Sequence, residues 1–296
     1  MTRRVPYPMR SLLFVPGHNR RYLESATRSG ADVIVPDLED SVPPGSKQQA
    51  RDLVLEEIVC CVINGPIFPR VNSLGSGHLF DDINGLALPR VSGFMYPKAE
   101  RREGVAYFDG LLRKVEDEHR LPPGHFKVIP LIETASAVLH VQEICEASPR
   151  VVAVAFGCED FVADLHGVHD LEGRVLEVPR ALIALGARAA GVIPIDTVHI
   201  RVNDLADLEH NARVARGQGF EGMLALHPKE LPTIHKCFTP DAWEIEKAQE
   251  ILTLSAEAER AGKGVAIMEG RFIGPPMVRA AKHTLELAEI IERRGK

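Results

Sequence analysis

The sequence predicts a (β/α)8 barrel followed by a C-terminal helical extension. Three observations predict it. Eight short apolar runs recur between residues 11 and 238, most of them followed by a segment of helical periodicity. The runs are too short and too β-branched for stable helices, as expected of strands buried on both faces. Carboxylates and cations gather at their C-terminal ends, the rim where parallel α/β folds place their active sites.

The first strand is Leu12–Val15, followed by the turn Pro16-Gly17-His18-Asn19. Asn19 is placed to cap the helix Arg20–Ser29, which stops at Gly30. Asp32–Pro36 is the second strand, and Asp37, Glu39 and Asp40 crowd its end. Three like charges so close cost energy unless a cation or hydrogen-bond donors face them, although a solvated loop with a helix cap is the plainer alternative. A helix over Lys47–Val59 leads to the third strand, Ile67–Val71, with Arg70 near its end. A guanidinium there can clamp a carboxylate through two parallel hydrogen bonds, or form a structural ion pair with a nearby acid. After a short helix over Leu79–Leu86, the fourth strand Gly93–Tyr96 ends in Pro97-Lys98. Arg101–Arg120 is helical.

The stretch from Lys127 to Asp160 is central. Val128–Ile132 and Val151–Phe156 are strands, and Ala135–Glu146 between them spaces Val138, Val141, Ile144 and Cys145 at helical intervals. One strand ends in Glu133 and the next in Glu159-Asp160. Two carboxylates at neighbouring strand ends suit a hard divalent cation that keeps open positions for waters and substrate. A glutamate after a strand can also simply begin a helix. Phe161–Asp170 reads as a polar segment, and His166 and His169 within it read as a chance pair on a solvated turn rather than as metal ligands. Arg174–Ala190 is a helix, Ile193–Ile200 the seventh strand, Asp204 the cap of a helix to Arg216, and Glu221–Leu226 the eighth strand. The domain reading is therefore a catalytic barrel over 1–240 and a segment over 241–296. That segment comprises the helix Ala242–Ala261, a small strand at Val265–Met268 and the helix Pro275–Arg293. It exceeds what a barrel needs, and reads as a lid or an oligomerisation surface.

Composition bounds the function. The chain has 296 residues, 45% of them hydrophobic, and a net charge of −6. No basic footprint for nucleic acid is evident, though a local phosphate pocket stays possible. Five cysteines without a C-x-x-C argue against a disulfide framework or a zinc site and for a reducing compartment. No apolar run reaches membrane-spanning length, and the basic start lacks a signal-peptide core, so the expectation is a soluble, cytoplasmic protein with no membrane partner.

Seven ordered stretches carry a more specific resemblance. They are R-S-L-L-F-V-P-G (10–17), D-V-I-V-P-D-L-E-D-S-V (32–42), P-R-V-N (69–72), Y-P-K-A-E (96–100), I-P-L-I-E-T-A (129–135), F-G-C-E-D (156–160) and L-H-P-K-E (226–230). With these, the chain resembles the citrate lyase beta subunit-like branch of the HpcH/HpaI aldolase family, which includes lyases of malyl-, citramalyl- and citryl-CoA. The resemblance implies a Mg²⁺-dependent barrel that makes or breaks a carbon–carbon bond beside a carbonyl. It implies that Glu133 and Asp160 bind Mg²⁺ and that Arg70 holds the 2-oxo acid and polarises its oxygen. Glu39 and Asp40 would order metal-bound water or Arg70, and Lys98 would add a supporting charge. Arg10, Arg20, Arg21 and Lys47 are candidate contacts for CoA phosphates.

The expected partners are a 2-oxo acid and a CoA thioester, or an acyl carrier in place of CoA, within a homo-oligomer (trimer or hexamer). Two alternatives remain beside the thioester lyase: an aldolase or lyase of a free hydroxy or oxo acid, and a non-catalytic barrel subunit. Two departures are visible. Pro36 interrupts the second apolar run, and Gly274 stands where relatives that act on CoA thioesters commonly carry a lid aspartate. Glu269 is the nearest acidic substitute on that segment.

Overall fold

The computed structural model describes residues 3, 5–60, 63, 65–170, 173–262, 265–268 and 270–294. It divides into two compact units, Met1–Val5 with Met9–Phe238, and Pro6–Pro8 with Thr239–Lys296. The first is an α/β barrel. Its strands are β1 (Ser11–Pro16), β2 (Val33–Asp37), β3 (Gly93–Tyr96), β4 (Lys127–Ile132), β5 (Ala153–Phe156), β6 (Ile193–Asp196) and β7 (Gly222–Ala225). They pair in parallel in the order β2-β1-β7-β6-β5-β4-β3.

The gap between β2 and β3 is closed by the expected third strand, in reduced form. Ile67 bridges to Ile34, and Arg70 bridges to Asp37 on one side and Met95 on the other. The Arg70 N–H donates to Pro36 O at 2.9 Å, and the Met95 N–H donates to Pro69 O at 3.0 Å. Pro66 and Pro69 have no N–H, so this segment makes isolated bridges rather than a continuous ladder.

Strand parity decides what faces inward. In β4, Val128 and Ile132 belong to the core shared with the helices, while Leu131 lines the mouth of the barrel. Glu133 shares Leu131's parity. In β1, Leu13 and Val15 pack outward, whereas Phe14 and Pro16 line the mouth.

The helices of this unit are α1 (Arg20–Thr27), α2 (Lys47–Val59), α3 (Leu79–Gly85), α4 (Arg102–Glu118), α5 (Ala135–Leu139), α6 (Val141–Glu146), α7 (Cys158–Asp164), α8 (Glu177–Ala190), α9 (Leu205–Gly217) and α10 (Leu231–Phe238). Asn19 caps α1 and Asp204 caps α9, as the sequence suggests. Three elements differ from expectation. The helix expected over Ala135–Glu146 breaks at His140, whose ring nitrogen lies 2.7 Å from the Ser136 carbonyl. The segment after β5 is helical from Cys158, so Asp160 sits on the first turn of α7 rather than at a strand end. The strand expected over Ile193–Ile200 stops at Asp196.

In the second unit, α11 (Ala242–Arg260) and α12 (Pro275–Arg294) pack with an antiparallel pair, β8 (Ala266–Met268) and β9 (Arg271–Ile273). Ile251, Met268, Ile273 and Ala281 form its small core. The α11 cap is a reciprocal Asp241–Glu244 box. Glu269 lies outside the described residues. Among the described residues no helix is long and apolar enough to cross a membrane.

Candidate active site

The C-terminal mouth of the barrel holds a cavity of about 420 Å³. Phe14, Asp37, Asp40, Arg70, Glu133 and Asp160 all line it. That volume lies within the range of small-molecule sites.

Arg70 organises one wall. Its Nε and Nη2 each donate to Asp37 at 2.7 Å, so the planar fork is taken up by a carboxylate of the same chain. The remaining Nη1 faces Asp40 at 3.0 Å and Glu39 at 3.5 Å. Phe14 lies beneath the guanidinium, 4.8 Å from its carbon. Burial opposes the Arg70 charge. The hydrogen bonds and charges of Asp37, with Asp40 and Glu39, outweigh it and hold the group protonated above its ordinary range. Burial likewise raises Asp37, but Arg70 and the Ser41 and Glu39 N–H groups bring it below the usual carboxylate range. The sequence by itself gives Asp37 no role of its own. The signal for one is its parity with Val33 and Val35, which points it into the barrel beside Arg70.

The opposite wall is acidic. Glu133 is 2% exposed, and its Oε2 accepts the Lys98 N–H at 2.6 Å. Burial, reinforced by Glu39 and Asp160, pushes its carboxyl up to about 8. Asp160 is exposed, and its side chain makes no hydrogen bond or ion pair with the described residues. Glu39 is pushed up to about 7 by burial, with Asp40 adding to the effect. Its Oε1 meets Lys98 Nζ at 3.3 Å, but its buried Oε2 has no hydrogen-bond partner. Lys98 takes a left-handed backbone, φ +52°, that lets its N–H reach Glu133. For a non-glycine residue that conformation costs on the order of 1 kcal/mol.

Behind the wall, Asp82 accepts from the Asn72 N–H and Nδ2 at 2.8 and 2.7 Å and from Arg51 at 2.9 Å. This buried cluster anchors the chain just past Arg70, and Asn72 supplies the polar end of the P-R-V-N stretch.

Of the residues that the sequence singles out, the structure brings Arg70, Asp40, Glu133 and Asp160 to one cavity, with Glu39 and Lys98 bonded to its walls. Arg10 is not among them. It precedes β1 at the opposite end of the strand and forms a two-point pair with Asp32, both contacts 2.8 Å. A side chain fixed there does not reach the C-terminal mouth. Arg20 is tied to Glu56 and Glu57 on α2, and Lys47 Nζ holds the carbonyls of Leu38 and Glu39 at 2.8 and 2.7 Å. Gly274 has room for a side chain, since a Cβ there would touch only Pro276, at 3.6 Å.

The donors fit a hard cation. Glu133 carries a buried charge disfavoured by its surroundings, Glu39 an orphaned oxygen, and Asp160 a carboxylate with no partner among the described residues. All are oxygens, the set that Mg²⁺ selects while retaining waters and substrate oxygens. Glu133 and Asp160 would hold the ion.

Oxygen donors suited to a hard cation, at the C-terminal mouth of a (β/α)8 barrel, are the features of the class of metal-assisted enzymes. Residues 10–228 match the model of the HpcH/HpaI aldolase/citrate lyase family. The citrate lyase subunit beta of Haemophilus influenzae is 32% identical, over 95% of this chain and 97% of its own. The mitochondrial citramalyl-CoA lyase of Homo sapiens is 30% identical, over 97% of this chain and 87% of its own. Among solved structures, the CitE protein of Mycobacterium tuberculosis in complex with magnesium, acetoacetate and coenzyme A superposes with a TM-score of 0.77 at 27% identity. It covers 96% of this chain and 100% of that one. The chain belongs to the HpcH/HpaI aldolase/citrate lyase family, in its citrate lyase beta subunit-like branch, and is a lyase that works with Mg²⁺.

Proposed function

We propose that the protein cleaves the carbon–carbon bond of a hydroxy-acyl-CoA thioester of the citryl-, malyl- or citramalyl-CoA type. The products are an acyl-CoA and a 2-oxo acid. The observation that carries this reading is the pairing of a fixed guanidinium with a cation-seeking carboxylate wall across one cavity. In retro-aldol cleavage the hydroxyl gives up its proton as it becomes the carbonyl of the 2-oxo acid. The electron pair of the broken carbon–carbon bond passes to the thioester enolate, which is then protonated at carbon. Positive charge beside the developing oxyanions favours both. Mg²⁺, when bound, supplies Lewis-acid polarisation of the oxo acid's oxygens.

The chain's own residues supply the rest. Arg70 cannot give its two-point fork to substrate, because Asp37 already takes it. Nη1 is the nitrogen left for the oxo acid, and half-exposed Asp40 now occupies that direction at 3.0 Å. A substrate oxygen arriving there displaces Asp40 while Asp37 keeps the guanidinium plane oriented. Glu39, its carboxyl pushed up to about 7 by burial, is suited to accept and return a proton. The Lys98 N–H keeps Glu133 turned into the cavity.

Two relatives support a thioester substrate: one is a citramalyl-CoA lyase, and the superposed structure holds coenzyme A and acetoacetate. Incubating the protein with Mg²⁺ and a panel of CoA thioesters and their free acids, and assaying released 2-oxo acid, tests the reading. Release from at least one thioester, abolished by chelation, is the expected result. Release from free acids alone would replace the reading with an aldolase on unactivated acids.

A further inference from the structure

The first turn of α7 faces two ways. Asp160 lines the cavity described above, whereas Cys158 and Glu159 also border a second cavity of about 260 Å³. Arg180, Thr197, His199 and Arg201 lie on its other sides. At its edge, His169 comes back from the loop after α7. Its Nε2 lies 2.9 Å from Glu159 Oε1, and Cys158 Sγ lies 3.4 Å from the same oxygen. One donor atom from each of the three residues lies within 4.8 Å of the others.

Two features separate this group from an ordinary surface pair. His169 Nε2 is buried and has no hydrogen-bond partner, despite its closeness to Glu159. The 3.4 Å between Cys158 Sγ and Glu159 Oε1 is also that of a metal's coordination edge, whereas the 2.9 Å between Glu159 and His169 is an ion-pair distance that must widen by about 0.4 Å to admit an ion. Tetrahedral zinc, with bonds of about 2.0–2.3 Å, holds its donors roughly 3.3–3.8 Å apart. The three donors would occupy one face of such a tetrahedron, leaving the fourth position for a water or ligand.

We infer that Cys158, Glu159 and His169 form a second cation site, for a divalent ion of the zinc class. Thiolate and imidazole with one carboxylate select zinc, whereas Mg²⁺ takes oxygen donors. The Cys158 thiol releases its proton to solvent as the metal–sulfur bond forms. Occupancy ties the loop carrying His169 to the helical turn that presents Asp160. The two ions are then neighbours held by different chemistry, and the site does not depend on which acid the enzyme cleaves.

Cobalt(II) reports on the site directly. The purified full-length protein, in excess Mg²⁺, is titrated with Co²⁺ and followed by absorption. The expected result is one equivalent of Co²⁺ with a near-ultraviolet thiolate-to-cobalt band that Zn²⁺ bleaches and further Mg²⁺ does not. Cys158→Ser removes the band. His169→Asn, in a loop where folding is not at issue, weakens Co²⁺ at least about tenfold. Glu133→Gln leaves the band in place. No thiolate band, a band that survives Cys158→Ser, unchanged affinity in His169→Asn, or loss of the band in Glu133→Gln would each overturn the assignment.

Discussion

Glu133 holds a carboxylate in a place where its charge is disfavoured, and a bound cation is the simplest way to keep it there. Two substitutions follow from this. Glu133→Gln and Asp160→Asn each remove one oxygen donor's charge, and calorimetry should show weakened Mg²⁺ binding in both, with the fold retained. Unchanged affinity in both would remove the pair from the metal site. Arg70→Lys keeps a charge but loses the fork to Asp37. It should lower kcat/KM by roughly 2–4 kcal/mol of transition-state stabilisation if Arg70 is a preorganised donor. Wild-type kcat/KM on every substrate turned over would exclude it. Gly157 is glycine because of Glu133: a Cβ would lie 2.5 Å from Glu133 Cγ. Gly157→Ala should therefore weaken Mg²⁺ by displacing Glu133, more than it lowers the melting temperature.

At the scale of elements, the barrel is closed by neighbours that approach unusually near. Gly93 opens β3 opposite Lys127 on β4, and a Cβ there would lie 2.1 Å from the Lys127 carbonyl oxygen. The strands must part to admit any side chain. Gly93→Ala should cost about 1–3 kcal/mol, as other forced overpacking does, read as a lower urea midpoint at unchanged slope. The bridging segment over 66–70 shows how the fold keeps a strand position without a full ladder. Its prolines remove donors, yet its carbonyls and the Arg70 and Phe68 N–H groups still tie both neighbours. That leaves Arg70 directed into the mouth from an anchored backbone. The short helix α7 does the same for Asp160 on the far wall, with the Cys158 N–H held by Thr197 Oγ1 at 3.1 Å.

For the whole molecule, the raised carboxyls link stability to pH. Glu133 titrates near 4.5 when unfolded and at about 8 in the fold. Between these values the native state binds more protons than the unfolded chain, so stability falls as pH rises. The contribution is complete below about pH 4.5 and lost as pH passes through about 8, and Glu39, raised to about 7, acts in the same sense. Asp37 is shifted the other way and acts only in acid. Each pKa unit corresponds to about 1.4 kcal/mol. The metal-free protein should therefore melt at lower temperature at about pH 8 than at about pH 5.5. Mg²⁺ should restore more at the higher pH, because it binds the charged carboxylates. A melting temperature that does not fall over this range in metal-free protein, or a fall unaltered by Glu133→Gln, would refute the link.

By itself the sequence determined the alternation of short apolar runs with helical segments, because period and length are local properties of the chain. It also determined which side chains stand at the C-terminal ends of the runs, so Arg70, Glu39, Asp40, Lys98, Glu133 and Asp160 are legible from the chain alone. What each of them touches is not. Arg10 precedes its strand where the others follow theirs, and the partner that holds it at that end, Asp32, is set by the packing of β1 against β2. Arg70's fork belongs to Asp37 because parity and the closure of the barrel bring those two together from segments far apart in the chain. The helix at Cys158 is not legible from the sequence because a turn that follows a buried strand is set by packing rather than by propensity. The meeting of Cys158, Glu159 and His169 arises from a loop folding back on α7, a proximity in space that spacing along the chain does not encode.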